Sequence, residues 1–218
     1  MKFYESGDNR KPVIFLFPGT CCLYSSFDHV LDGLHSYFYT VAVSYDGFDP
    51  NEKTEFYSME DECEKIEQEI RTKYGGRIKA AYGCSLGGSF VSLLIQRKRI
   101  HIDHGIIGSS DMDEAGSFMA KLQSSIIVPI MYKMVHTGKL PKFMKKKINE
   151  ADESRKKLID GFVNMFGIDK GGSPWITKQS VYNQFYSDLV TKVQHGIDVP
   201  GTTIHVFYAT KMGEKYEK

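Results

Sequence analysis

Residues 81–88 read Ala81-Tyr82-Gly83-Cys84-Ser85-Leu86-Gly87-Gly88, with an apolar run before them and a helix-like run after them. Gly83, Ser85 and Gly87 carry the pattern G-x-S-x-G. A strand that turns abruptly into a helix holds its turning residue in a strained backbone conformation, so the neighbours must be small. A serine at that turn has its hydroxyl clear of the sheet, beside the first amides of the helix. Those amides have no partner inside the helix and can face a developing negative charge. The octapeptide therefore predicts a nucleophile, Ser85, and half of an oxyanion site, the Leu86 N–H. Gly83 and Gly87 let the turn pack closely, and Gly88 lets the helix approach the sheet. The competing reading of Ser85 is a helix N-cap whose hydroxyl serves only the first turn.

Outward from the turn, further apolar runs alternate with helical ones. Val13-Ile14-Phe15-Leu16-Phe17 is stopped by Pro18-Gly19, as expected of a strand buried on both faces. Residues 38–45, 78–84, 102–108 and 202–209 read as further strands. Met59, Cys63, Ile66, Ile70 and Tyr74 recur at helix spacing over 58–74 until Gly75-Gly76, and 86–97 is the helix that follows the turn. Strands alternating with helices predict an α/β fold with a mostly parallel sheet flanked by helices. The interval 111–200 breaks that alternation with helix-like pieces at 117–135, 142–166 and 177–195. So long an interval exceeds an ordinary crossover. The expected division is a core of 1–110 and 201–218, with 111–200 as a helical cap inserted over the strand ends.

Composition narrows the functional classes. A net charge of +1 offers no electrostatic case for nucleic acid. No apolar run is long enough to span a bilayer, and residues 1–8 lack the apolar centre of a signal peptide. Cys21, Cys22, Cys63 and Cys84 form no disulfide framework, so free thiols and a cytoplasmic location are expected. Neither HExxH nor paired CxxC occurs, and no lysine follows the glycines of 83–88 as a P-loop requires. No metal and no cofactor is implied.

These elements, in this order, resemble the α/β-hydrolase superfamily. A strand ends in Phe17-Pro18-Gly19-Thr20-Cys21, the Gly83–Gly88 turn follows, and then come another strand, a helical insertion and the strand ending near Ala209. The chain looks most like the small, poorly characterised bacterial serine hydrolases of that superfamily. The resemblance implies an esterase or lipase type of enzyme acting on a small-molecule acyl ester. The second oxyanion donor would be the Thr20 or the Cys21 N–H. Glu214 stands where the catalytic acid normally follows the last strand, and Asp111, after the preceding strand, is the second candidate. Either also reads as an ordinary helix-terminus residue.

The resemblance places its histidine one strand further on, whereas this chain stops at Lys218. His29, His35, His101, His104, His136, His195 and His205 all lie elsewhere in the pattern; His205 is expected to face a helix layer. The expectation is a C-terminally truncated form, impaired as an esterase, with a bare sheet edge that invites pairing with a second copy. An acyltransferase, or a non-catalytic member binding a ligand or partner, are the alternatives. Other features carry less. Asp46 and Asp49 read as substrate contacts or as turn formers. The basic run Lys139, Lys142, Lys145, Lys146 and Lys147 reads as a solvated helix face or a contact with an anionic surface. Residues 126–135 read as an acyl pocket or as core contact, and Trp175 as a packing anchor.

Overall fold

The computed structural model describes residues 1–110, 114–141, 156, 160–161, 163, 165–168 and 170–207. Its strands are β1 (Lys2–Ser6), β2 (Val13–Phe17), β3 (Tyr39–Ser44), β4 (Arg77–Cys84), β5 (His101–Gly108) and β6 (Thr203–Phe207). Its helices are α1 (Asp28–His35), α2 (Met59–Tyr74), α3 (Leu86–Arg97), α4 (Ser117–Thr137) and α5 (Lys178–Val190). The six strands form one sheet in the order β1-β3-β2-β4-β5-β6. All pairings are parallel except that of β1, which runs antiparallel to β3 from Lys2↔Ser44 to Ser6↔Thr40. The mostly parallel sheet expected from the alternation is thus observed. β1 adds a strand the sequence does not announce: Lys2-Phe3-Tyr4-Glu5-Ser6 lacks a run of apolar residues because it is bonded on one side only.

Helix boundaries follow local chemistry. Ser58, extended at φ −154°, accepts a hydrogen bond from the Asp61 N–H and caps α2. Glu60, Asp61 and Glu62 occupy its first turn, where the positive end of the helix dipole favours them. Gly75, at φ 63°, ends the helix in a left-handed conformation that glycine adopts without steric cost.

Period-2 alternation sends the residues of β2 to opposite layers. Phe15 and Phe17 join Val41, Val43, Tyr45 and Phe90 in the larger core cluster. Ile14 and Leu16 join Phe27, Ala42 and Ala80 in a smaller one, against which Leu31 and Leu34 of α1 pack. Each fully buried large apolar side chain contributes about 1.5–3 kcal/mol relative to exposure. Between β5 and β6, α4 packs on α5, and α5 also meets α2. The Ala115 N–H donates to Leu189 O at 2.7 Å, and Asn183 Nδ2 donates to Phe56 O at 2.8 Å, which ties this helical interval down.

β6 ends the sheet with Val206 and Phe207 exposed. His205 is exposed as well and lies 3.3 Å from His104, so among the described residues it meets no helix layer of the kind expected of it. Among the described residues no helix is long and apolar enough to cross a membrane.

Candidate active site

At the junction of β4 and α3, Ser85 has φ 53° and ψ −123°. A non-glycine residue held there carries on the order of 1–3 kcal/mol of strain. Its neighbours show what enforces the turn. A Cβ on Gly83 would fall 1.9 Å from the Gly87 carbonyl oxygen, one on Gly87 would fall 2.1 Å from the Phe17 carbonyl oxygen, and one on Gly88 would meet Ser110 Cβ at 2.6 Å. Three glycines therefore let helix, sheet and turn approach more closely than any side chain allows. The Ser85 N–H donates to Gly108 O at 2.9 Å, which fixes the turn to β5. Although Ser85 occupies the N-cap position of α3, its hydroxyl makes no capping bond and the residue is exposed. Ser58, by contrast, is extended and caps its helix.

The loop after β2 packs onto this turn. A Cβ on Gly19 would lie 3.2 Å from Cys84 O and 3.5 Å from Ser85 Cβ. Tyr45 Oη donates to Pro18 O at 3.2 Å, and the Cys22 N–H donates to Gly19 O at 3.0 Å. The two donors expected from this loop are not equivalent. The Cys21 N–H is occupied, donating to the buried Gln184 Oε1 at 2.7 Å. The Thr20 N–H makes no hydrogen bond among the described residues. Leu86 is buried, and its N–H belongs to the first turn of α3, which has no intrahelical partner for it. Gln184 comes from α5, 163 residues from Cys21, and no local pattern points to it.

All four cysteines are free thiols. Burial pushes the Cys21 thiol up to about 12 and raises those of Cys22 and Cys84, so all three stay protonated near neutrality and Cys84 is no thiolate nucleophile. The two acid candidates, Asp111 and Glu214, lie outside the described residues. No described histidine hydrogen-bonds the Ser85 hydroxyl. His35 contacts Ser6 and Thr40, His104 contacts His205, His136 Nδ1 contacts Ile176 O, and His101 lies beside Asp103. His195 is exposed, and His29 borders the cavity described below.

Asp46 and Asp49 serve the fold. Asp49 accepts from Tyr4 Oη and from the Asn51 N–H, both at 2.8 Å. Asp46 pairs with the Met1 amino group and with Lys65, and its own N–H donates to Glu62 Oε2 at 3.0 Å. Burial acts to raise the Asp46 carboxyl, but the bonds from Lys65 and the amino group outweigh it and hold the group below the usual carboxylate range. Glu62, fully buried, goes the other way: desolvation pushes it up to about 7 despite its bond with Lys65.

A cavity of about 390 Å³ opens on the α1 side of the sheet. Ile14, Leu16, Phe27, Val30, Tyr82 and Ile106 line it, and it reaches Gly19 and Cys84 beside the turn. The apolar stretch 126–135 is not part of its wall: Val128, Met134 and Val135 are buried, whereas Ile126 and Ile130 face outward. Of the basic run, Lys139 is exposed and the other four lysines lie outside the described residues. Trp175 is partly exposed, and its Nε1 reaches Phe48 O at 3.5 Å.

No protein-family model and no curated protein sequence matches the chain. Solved structures do match. An α/β hydrolase family protein from Desulfitobacterium hafniense superposes with a TM-score of 0.67 at 15% identity, covering 87% of this chain and 72% of that one. A carboxylesterase from the thaumarchaeon Nitrososphaera gargenis (TM-score 0.66, 15% identity) is covered to 74%, against 94% of this chain. A thermophilic esterase from Thermogutta terrifontis matches with the same TM-score, identity and coverage. The fold is therefore the α/β-hydrolase fold. At such identities the comparison establishes architecture, and function must be argued from the site.

Proposed function

We propose that the chain is a serine hydrolase of carboxylic esters, with Ser85 as nucleophile and the Leu86 and Thr20 N–H groups as oxyanion donors. The observation that carries this reading is Ser85 itself: exposed, uncapped and held at φ 53° among glycines that admit no Cβ. Strain of that kind persists only where the surrounding structure enforces it, and a structural cap needs none of it. Ser85 Oγ would attack the acyl carbonyl carbon while its proton leaves to a base. The carbonyl oxygen, now negative, would be held by the two amides. Collapse expels the alcohol, and water releases the acid from the acyl-serine.

Under this reading residues 111–200 form a cap over the site, tied to the oxyanion loop by the bond from Cys21 to Gln184. The acid is assigned to Glu214 or Asp111. Where a general base takes the Ser85 proton turnover is fast, and where the proton passes only to water or hydroxide it is slow. Enzymes stripped of the base retain roughly 10³–10⁴-fold catalysis over water from the oxyanion site and binding. The cavity beside Cys84 suits the apolar part of an acyl ester. The esterases among the structural neighbours support the reaction class by analogy.

Among the described residues no base contacts the Ser85 hydroxyl, and this favours a second reading, in which the same cavity binds an apolar ligand without turnover. One experiment separates the two. The folded chain is treated with a fluorophosphonate, and its peptides are analysed by mass spectrometry. An adduct on Ser85, absent in Ser85→Ala, supports the hydrolase. A chain that is folded by circular dichroism yet carries no adduct rejects it.

A further inference from the structure

Helix α4 is apolar on two opposite sides. Ala120, Ser124, Val128, Met134 and Val135 are buried, and the helix packs on α5. At 3.6 residues per turn, Phe118, Leu122, Ile126 and Ile130, each four residues apart, fall on the other side together with Met119. All five are exposed, Phe118 at 78% and Ile126 at 61%. From Phe118 to Ile130 the stripe is about 18 Å long. Scattered exposed apolar residues need no explanation, but a contiguous stripe does.

Charge indicates what covers it. The chain carries 27 acidic residues among 218, yet none falls within 117–137. Glu114, three residues before the helix, is paired with Lys192 at 3.4 Å, while Lys121 and Lys133 are exposed on α4 and Lys139 is exposed just past its end. A matching stripe on a second copy would bring these lysines together, which opposes self-association. An apolar interior with an anionic rim meets both features, and a phospholipid leaflet has them. We propose that the outer stripe of α4 lies in the interface of an anionic membrane, with Phe118, Leu122, Ile126 and Ile130 immersed and the lysines at the headgroups. The helix then lies along the bilayer without crossing it. This inference does not depend on the role of Ser85.

The test is flotation of the full chain with vesicles of phosphatidylcholine, with and without phosphatidylglycerol. Binding is expected to the anionic vesicles, weakened about tenfold or more by Phe118→Ser combined with Ile126→Ser. Lys121→Glu combined with Lys133→Glu should remove the preference for phosphatidylglycerol, and Ser85→Ala should bind as the parent does. Ile126→Trp, which keeps an apolar side chain, should shift its fluorescence to the blue when anionic vesicles are added, so the proposal remains testable even where the serine variants fail to fold. No flotation and no blue shift overturns it. So does a dimer in light scattering that the Phe118→Ser and Ile126→Ser changes dissociate, since that assigns the stripe to a second copy.

Discussion

The two faces of the sheet are made by the same strands and finished differently. On the α2–α3 face Phe15, Phe17, Val41, Val43, Tyr45 and Phe90 are fully buried, and Phe90 stacks on Tyr45 with centroids 4.7 Å apart. On the α1 face Ile14, Leu16, Ala42 and Ala80 are buried, but Tyr82 and Ile106 border an open cavity, and His205 stands exposed on the terminal strand. An apolar run such as Val13–Phe17 states that both faces are meant to be covered. It does not state by what. Two helices cover one face, and among the described residues α1 covers only part of the other. The turn at Ser85 sits where the two regimes meet, packed by α3 on one side and bordering the cavity through Cys84 on the other.

That contrast can be broken experimentally, and the turn is where the effect should be largest. Gly83→Ala places a methyl group 1.9 Å from a backbone oxygen that cannot swing away. Loss of the fold, or destabilisation beyond about 4 kcal/mol in urea unfolding, is expected; a near-neutral result would mean that the turn is not close-packed. Phe90→Ala, on the closed face, should cost about 3–5 kcal/mol by the same measurement.

An intermediate effect is expected at Glu62, beneath the closed face. Its folded-state carboxyl sits at about 7 against an ordinary 4.5, so the native state holds a proton that the unfolded chain releases. Its contribution to stability is fully present below about pH 4.5 and is lost as pH rises through about 7. Asp46, held low, acts oppositely and only in the more acid range, where its contribution is lost as pH falls. Between about pH 8 and about pH 5.5 the Glu62 group should therefore add about 2 kcal/mol, and Glu62→Gln should flatten that part of a thermal-stability profile. Val30→Ala, on the open face, should matter least, at under about 1 kcal/mol, because Val30 is already 38% exposed. If Val30→Ala costs as much as Phe90→Ala, the two faces are equally closed and the comparison fails.

Legibility in the sequence followed the range of the interactions. The strand-turn-helix at 77–97 could be read because its sterics are local: three missing Cβ atoms within six residues decide it. Although its Ser58 cap was not singled out, the stop of α2 at Gly75-Gly76 was legible for the same reason. β1 was not, since Lys2–Ser6 gains its strand conformation by pairing with residues some 40 positions away. Residues 126–135 were read as one apolar unit because Lys133 is their only charged residue; the helix divides them between a buried and an exposed side. Asp46 and Asp49 could pass for substrate contacts only while their partners Met1, Lys65 and Tyr4 were out of view.

By itself the sequence determined the order of elements, the parallel sheet and the position of Ser85 at a tight turn. Each of these rests on periodicity, on turn chemistry or on the absence of side chains between near neighbours. Tertiary structure alone decided that the Cys21 amide is taken by Gln184 while that of Thr20 has no partner among the described residues, that His104 meets His205, and that one side of α4 faces outward. A hydrogen bond across 163 residues leaves no local trace, because the chain encodes which groups need partners and only the packed fold brings a particular partner within reach.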